Sequence, residues 1–242
     1  DVEKDGPLPT LLWVYPEEHK SRETASQVTR AENTFGRQSR SSVMFLLTQG
    51  YAVLSGASMP IIGEGEAEPN DTYIEQLIDS AEAAVDYLVK RGVSERDRLA
   101  IGGHSYGAFT TANLLAHTDL FCAGIARSGA YNRSLTPFGF QGEQRNYWEA
   151  TGTYNRMSPF TNADKLSHPL LLIHGAADNT SGTYPIQTER LYEAMKGLGG
   201  TVRYVSLPYE EHGYRSKEAV GHVVWEMVRW LDTYVKRKAD QN

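Results

Sequence analysis

Three residues of this 242-residue chain have the types and the order that nucleophilic catalysis needs: Ser105, Asp178 and His212. A serine hydroxyl is a poor nucleophile near neutral pH. It attacks a carbonyl only when an imidazole takes its proton, and a carboxylate on the other ring nitrogen holds that imidazole in the required tautomer. Ser105 lies in Gly103-His104-Ser105-Tyr106-Gly107, the G-x-S-x-G spacing of a nucleophile elbow. The serine of an elbow sits on a tight strand-to-helix turn, in a backbone conformation that is costly for a residue with a Cβ. Side chains two positions before and after it would collide, which favours glycine at both. Composition alone produces this spacing in about one chain in ten of this length, so its context has to decide.

The context is a set of apolar runs that end where the chemistry would begin. Leu99-Ala100-Ile101 leads into the elbow, and residues 105 to about 116 read as a helix. Asp178 follows the strand-like run Pro169-Leu170-Leu171-Leu172-Ile173-His174 through Gly175-Ala176-Ala177. His212 follows a run from Val202 to Leu207 through Pro208-Tyr209-Glu210-Glu211. Further strand candidates are Thr10 to Tyr15, ended by Pro16, Tyr51 to Leu54, and Phe121 to Ala126. Between them, helical spacing is clear from Asn70-Asp71-Thr72 to about Arg91, over 184–197 and over 216–237. Val43 to Leu47 reads as a short helix closed by Gly50. The polar stretch 17–42 and the Gly/Pro/Glu stretch 56–70 read as loops, and 130–166 as a cap-like insertion of short helices and loops. Strands that alternate with helical or loop segments about six times predict an α/β fold, one mostly parallel sheet covered on both faces, within one domain over 1–242. Sites in such a sheet lie at the carboxyl ends of the strands. The order Ser, Asp, His, each after a strand, is that of an α/β-hydrolase.

Other readings of these residues are blander. Asp178 begins Asp-Asn-Thr-Ser-Gly, which also suits an Asx turn. Of the other histidines, His19, His117, His168 and His222 lie on loops or helices away from the right strand ends. His174 reads as a hydrogen-bonded core residue, and His104 as pointing away from Oγ. Glu210 and Glu211 are expected to face solvent, because adjacency in sequence does not put a carboxylate behind an imidazole. An oxyanion would be held by the N–H of Tyr106, the residue after the nucleophile. A second donor should come from the loop after the first strand, where Tyr15 either offers its hydroxyl or simply ends the strand as an aromatic.

Composition narrows the partners. The chain is 40% hydrophobic and 22% charged, with a net charge of −6 that argues against nucleic acid. A chain of this length buries roughly 70–75% of its unfolded surface and needs no disulfide staple. Cys122, the single cysteine, lies in an apolar run and reads as core. No apolar run is long enough to span a membrane, no signal-peptide pattern is visible, and the chemistry requires no metal or cofactor.

Several blocks resemble the catalytic domain of the prolyl oligopeptidase family. They are Gly103-His104-Ser105-Tyr106-Gly107-Ala108-Phe109, the stretch from Gly124 to Arg133, Leu172-Ile173-His174-Gly175 with Asp178-Asn179, and His212-Gly213-Tyr214. Leu135-Thr136-Pro137-Phe138-Gly139-Phe140-Gln141 and Trp148-Glu149-Ala150-Thr151 are similar to its glutamyl endopeptidase branch, known from chloroplasts. The resemblance covers nearly the whole chain. It implies serine peptidase activity on peptides, with Ser105, Asp178 and His212 as triad, and it favours Tyr15 beside Tyr106 at the oxyanion. It also implies a β-propeller ahead of this domain, and the abrupt start before an inner strand suggests part of a longer chain. A homo-oligomer is left open. Ala108 departs from the second glycine that many members carry after the elbow, which bears on the branch more than on the chemistry.

Cleavage after glutamate needs a positive group in the specificity pocket. Arg127 and Arg133 come soon after a strand and are the first candidates, with Arg145 and Arg156 further into the insertion. Any one of these arginines could equally be solvated or salt-bridged. Tyr131, Phe138, Phe140, Tyr147, Trp148 and Tyr154 either wall the pocket or form the insertion's own small core. An esterase or other acyl hydrolase on the same fold, and a binding module that kept the fold, are the rival functions.

Overall fold

Apolar runs without polar alternation make strands that bury both faces, and Leu11, Leu12, Ala100, Ile101, Leu171 and Leu172 all have no exposed surface. The computed structural model describes residues 2–27 and 38–236. Within the polar stretch 17–42, residues 28–37 lie outside the described residues, as does the last residue of the helix expected over 216–237. In chain order the strands are β1 (Thr10–Val14), β2 (Glu17–His19), β3 (Ala52–Ser55), β4 (Pro60–Ile62), β5 (Leu99–His104), β6 (Ala123–Arg127), β7 (Leu170–Gly175) and β8 (Val202–Leu207). The α-helices are α1 (Val2–Asp5), α2 (Arg22–Ser26), α3 (Tyr73–Lys90), α4 (Tyr106–His117), α5 (Thr151–Met157), α6 (Ile186–Gly197) and α7 (Lys217–Leu231).

Six strands form one sheet in the order β3-β1-β5-β6-β7-β8, and each neighbouring pair runs parallel. Successive residues of a strand face opposite sides. Leu12 therefore joins the cluster beneath α3, α4 and α6, with Leu77, Phe109, Leu172 and Leu191. Leu11 joins the cluster beneath α7 and the 3-10 helix Val43–Gln49, with Ile125, Ile173, Val223 and Trp230. Parallel strands put β1, β5, β7 and β8 carboxyl ends at one edge, so the loops after them converge there.

The main departure from expectation is a second sheet. β2 pairs with β4 in parallel, Glu17 opposite Pro60 and His19 opposite Ile62, within stretches that read as loops. Strands of three residues, with Ile61 as their one fully buried side chain, carry too short a pattern to show in the sequence. The insertion after β6 holds short turns, α5 and the 3-10 helix Pro159–Lys165, as the sequence suggests. Asn113 of α4 donates to Met157 O at 2.9 Å, tying the insertion to the central helix.

Candidate active site

Ser105 stands between β5 and α4 with φ +58° and ψ −117°. Its N–H donates to Arg127 O at 2.8 Å, which anchors the turn to the neighbouring strand. A Cβ on Gly103 would lie 2.2 Å from the carbonyl carbon of Gly107, and one on Gly107 would lie 2.1 Å from Val14 O. Both glycines are thus sterically required by the elbow and by its contact with the end of β1. Tyr106 is the first residue of α4, so its N–H is among those that no helical carbonyl can accept. Positive potential from the helix N-terminus adds to it.

Asp178 and His212 meet. Asp178 is 3% exposed, and its Oδ2 accepts from His212 Nδ1 at 2.8 Å. Its Oδ1 accepts from Thr180 N–H at 2.9 Å, so the Asx turn and the histidine contact coexist on different oxygens. Burial works to raise the pKa of Asp178. Hydrogen bonds from His174, His212 and the Thr180 N–H outweigh it and hold the carboxyl well below the usual carboxylate range. With Nδ1 committed to Asp178, Nε2 is the nitrogen of His212 left to act as a base. His212 packs its ring against His104, the residue before the nucleophile, at 4.8 Å between centroids, which seats it at the elbow. His104 is pushed down to about 3 by burial, with the Arg127 and His212 charges acting the same way, so it is neutral. Among the described residues Ser105 Oγ takes part in no side-chain hydrogen bond; nucleophile–base contacts of this kind often tighten only around substrate.

A cavity of about 440 Å³ opens beside Ser105 and Tyr106 and is lined by Arg133, Phe138, Phe140 and Tyr184 among others. Arg133 is 4% exposed. Its guanidinium carbon lies 4.1 Å from the ring centroids of both Phe109 and Phe140. Among the described residues it forms no ion pair, and its Nε is buried without a hydrogen-bond partner. Burial lowers its pKa from the ordinary arginine value. Its backbone is pinned by Ser158 Oγ, which accepts from Arg133 N–H at 2.9 Å, and by Gln187 Oε1, which accepts from the two preceding N–H groups.

Comparison with known proteins decides the family. The model of the prolyl oligopeptidase family matches residues 71–238. The chain belongs to that family. This prolyl oligopeptidase family domain is of the serine-peptidase type and has the α/β-hydrolase fold. It is 56% identical over 97% of its length to a protein of Oryza sativa subsp. japonica named "Probable glutamyl endopeptidase, chloroplastic", covering 25% of that protein. An Arabidopsis thaliana protein of the same name is 55% identical, again over 97% of this chain and 24% of the relative. The chain therefore spans about a quarter of the length of these curated relatives. Among solved structures, a puromycin-hydrolyzing peptidase of Mycobacterium tuberculosis superposes with a TM-score of 0.71 at 22% identity, over 96% of this chain and 35% of that one. No helix among the described residues is long and apolar enough to cross a membrane, and no His, Cys, Asp and Glu group there could hold a metal ion.

Within this family domain the other candidate residues take different places. Tyr15, half-exposed, lies edge-on to the Tyr106 ring at 6.1 Å, beside the elbow. Arg127 does not line the cavity. It has the same strand parity as Ile125 and so points to the α7 face, where Trp13 lies 4.5 Å from its guanidinium and Ser41 O accepts from Nη1 at 2.9 Å. Tyr131 is fully buried and belongs to the core rather than the cavity wall. Arg145 is taken by Asp71 and the buried Glu143, each at 2.8 Å, and Arg156 pairs with Glu75. Trp148 is exposed and touches the cavity only through Phe138, at 5.9 Å between rings. Glu210, expected in solvent, is 6% exposed and accepts from the N–H groups of Arg215 and Ser216, fixing the chain just after His212.

Proposed function

We propose that this domain hydrolyses peptide bonds through an acyl-enzyme and prefers glutamate on the acyl side of the cleaved bond. The observation that carries the reading is Arg133, a buried guanidinium that has no ion pair among the described residues, on the wall of the cavity that opens beside Ser105. A buried cation is costly until an anion joins it. The planar fork of an arginine accepts a carboxylate through two parallel hydrogen bonds. The names of the rice and Arabidopsis relatives support the same preference.

In this reading His212 Nε2 takes the Ser105 proton while Asp178 holds Nδ1–H and steadies the imidazolium that forms. Oγ attacks the carbonyl carbon, and negative charge develops on the carbonyl oxygen. In this reading the Tyr106 N–H, at the start of α4, and the hydroxyl of Tyr15, just after β1, receive it. His212 then protonates the leaving amine as the C–N bond breaks. Water, deprotonated by His212, attacks the acyl-enzyme, and Ser105 recovers its proton as the acid product leaves.

The test compares kcat/KM of the whole protein on peptides that differ only in Glu, Gln or Leu before the cleaved bond, and on short acyl esters. A preference for Glu over Gln of about tenfold or more is expected, lost in Arg133→Gln. Turnover of esters alone would indicate an acyl hydrolase on this fold. A Ser105 that no fluorophosphonate labels would indicate a binding module.

A further inference from the structure

Glu18 has no part in the reaction just described, yet its carboxylate joins three pieces of the site. Oε1 accepts from the Tyr106 hydroxyl at 2.5 Å. Oε2 accepts from Gly142 N–H at 2.8 Å and from Asn70 Nδ2 at 3.3 Å. Three donors aimed at two oxygens suit the ionised form. Glu18 also sits three residues after Tyr15, so it ties the loop of one candidate oxyanion donor to the side chain of the residue that carries the other. Gly142 closes the bend after Phe140 and Gln141, both on the cavity wall. A Cβ at Gly142 would lie 2.5 Å from Glu18 Oε2, so the carboxylate fills the space beneath that bend.

The charges near the cavity sort into two sets. Arg145 takes Asp71 and Glu143 in short ion pairs. That leaves a cation and an anion, Arg133 and Glu18, with no ion pair at contact distance among the described residues. The Tyr106 ring stands between them. Its hydroxyl binds Glu18, and its face lies 5.7 Å from the Arg133 guanidinium. Tyr106 in turn stacks on Phe109, at 5.5 Å and 12°, and the Arg133 guanidinium lies within 4.1 Å of the Phe109 ring centroid as well. Each charge acts on the other across this partly buried distance: Arg133 works to lower the pKa of Glu18 against the larger effect of burial. In low dielectric, opposite charges separated by one ring still interact appreciably.

We propose that Glu18 is a specificity-determining residue, whose buried carboxylate offsets part of the Arg133 charge and so sets how strongly the cavity separates an acidic side chain from its neutral isostere. The proposal rests on the reading of Arg133 as carboxylate anchor. An incoming glutamate is drawn by Arg133 and opposed by Glu18. Selectivity then depends on direct contact with the guanidinium more than on the long-range field.

The decisive variant is Glu18→Gln in the whole protein. The amide oxygen can keep the Gly142 and Asn70 bonds while the amide NH₂ donates to a turned Tyr106 hydroxyl, so charge is removed and shape retained. Matched peptides with Glu or Gln before the cleaved bond report the ratio of kcat/KM values. In Glu18→Gln that ratio is expected to rise by about threefold to tenfold, through a lower KM for the Glu peptide. Glu18→Asp keeps the charge, and its ratio is expected to stay within about twofold of the parent even if turnover falls. An unchanged ratio in Glu18→Gln, or equal shifts in the Asp and Gln variants, overturns the proposal. Arg133→Gln separates the two levels. If it abolishes the Glu preference while Glu18→Gln leaves the ratio unchanged, the anchor stands and the role of Glu18 does not. If Arg133→Gln leaves the preference intact, the anchor reading itself fails.

Discussion

His174 Nε2 lies 3.1 Å from Asp178 Oδ2, the same oxygen that accepts from His212. Nε2 also lies 2.7 Å from Thr183 O, which can only accept, so Nε2 carries the hydrogen and His174 Nδ1 is left to accept from Thr188 Oγ1 at 2.6 Å. A fully buried imidazole thus fixes the carboxylate from behind while Thr180 N–H fixes its other oxygen. His174 is a positioning residue in this arrangement. Replacing it by Phe is expected to lower kcat by about tenfold to a hundredfold with little change in KM, by analogy with the loss of other orienting partners. His174→Gln, which keeps a donor, should recover part of that loss. Equal activity of the Phe variant and the parent would show that Asp178 does not need this support.

Asp178 links the site to stability. Its native pKa is held below the unfolded value of about 3.9, so its contribution to stability is present in full above that value. The contribution is lost as pH falls below about 4 toward the lowered native value. Urea unfolding from pH 6 to pH 2 should therefore show a steeper loss of stability in the parent than in Asp178→Asn. The same variant is expected to lose about a thousandfold to ten-thousandfold in kcat, because an amide no longer selects the imidazole tautomer. A parallel pH dependence in the two proteins would contradict the assignment.

Much of this arrangement was legible because each candidate catalytic loop follows a strand with a readable pattern, apolar in β5 and β7 and alternating in β8. β5, β7 and β8 are six-residue strands with clear ends, and Ser105, Asp178 and His212 come within a few residues of those ends. The choice among arginines was less legible. Strand parity separates Arg127 from Ala126, but the sequence does not say which face of the sheet carries the cavity. Glu18 left no local signal at all. Its partners Tyr106 and Gly142 are 88 and 124 residues away, and the three-residue strand that holds it has no apolar alternation. His174 looked like a core histidine, and it is one; its bond to Asp178 depends on a loop whose path periodicity does not reveal.

The elbow makes a steric prediction that a second glycine controls. Gly107→Ala would put a Cβ 2.1 Å from Val14 O, backbone against backbone, between β1 and the start of α4. Neither element can move without disturbing the sheet, and a loss of roughly 2–4 kcal/mol in unfolding free energy is expected, with loss of activity. Gly152, inside α5, has open space where a Cβ would go. Gly152→Ala should instead stabilise the protein by about 0.5–1 kcal/mol through helix propensity. Thermal unfolding of the two variants side by side checks both signs.

Arg145 tests whether proximity to the cavity is enough to set selectivity. It stands in the same insertion as Arg133, but its guanidinium is committed to Asp71 and to Glu143, whose side chain is fully buried. Removing it leaves a buried carboxylate whose remaining donors are Asn70 Nδ2 and the backbone N–H of residue 145. Arg145→Gln is expected to destabilise the domain by about 1–3 kcal/mol, in the range for a broken charged hydrogen bond. The ratio of kcat/KM for Glu and Gln peptides should stay within about twofold of the parent, since the guanidinium does not line the cavity. Chemical denaturation gives the first quantity and paired peptide kinetics the second. A collapse of the Glu preference without a change in stability would move the carboxylate anchor from Arg133 to Arg145.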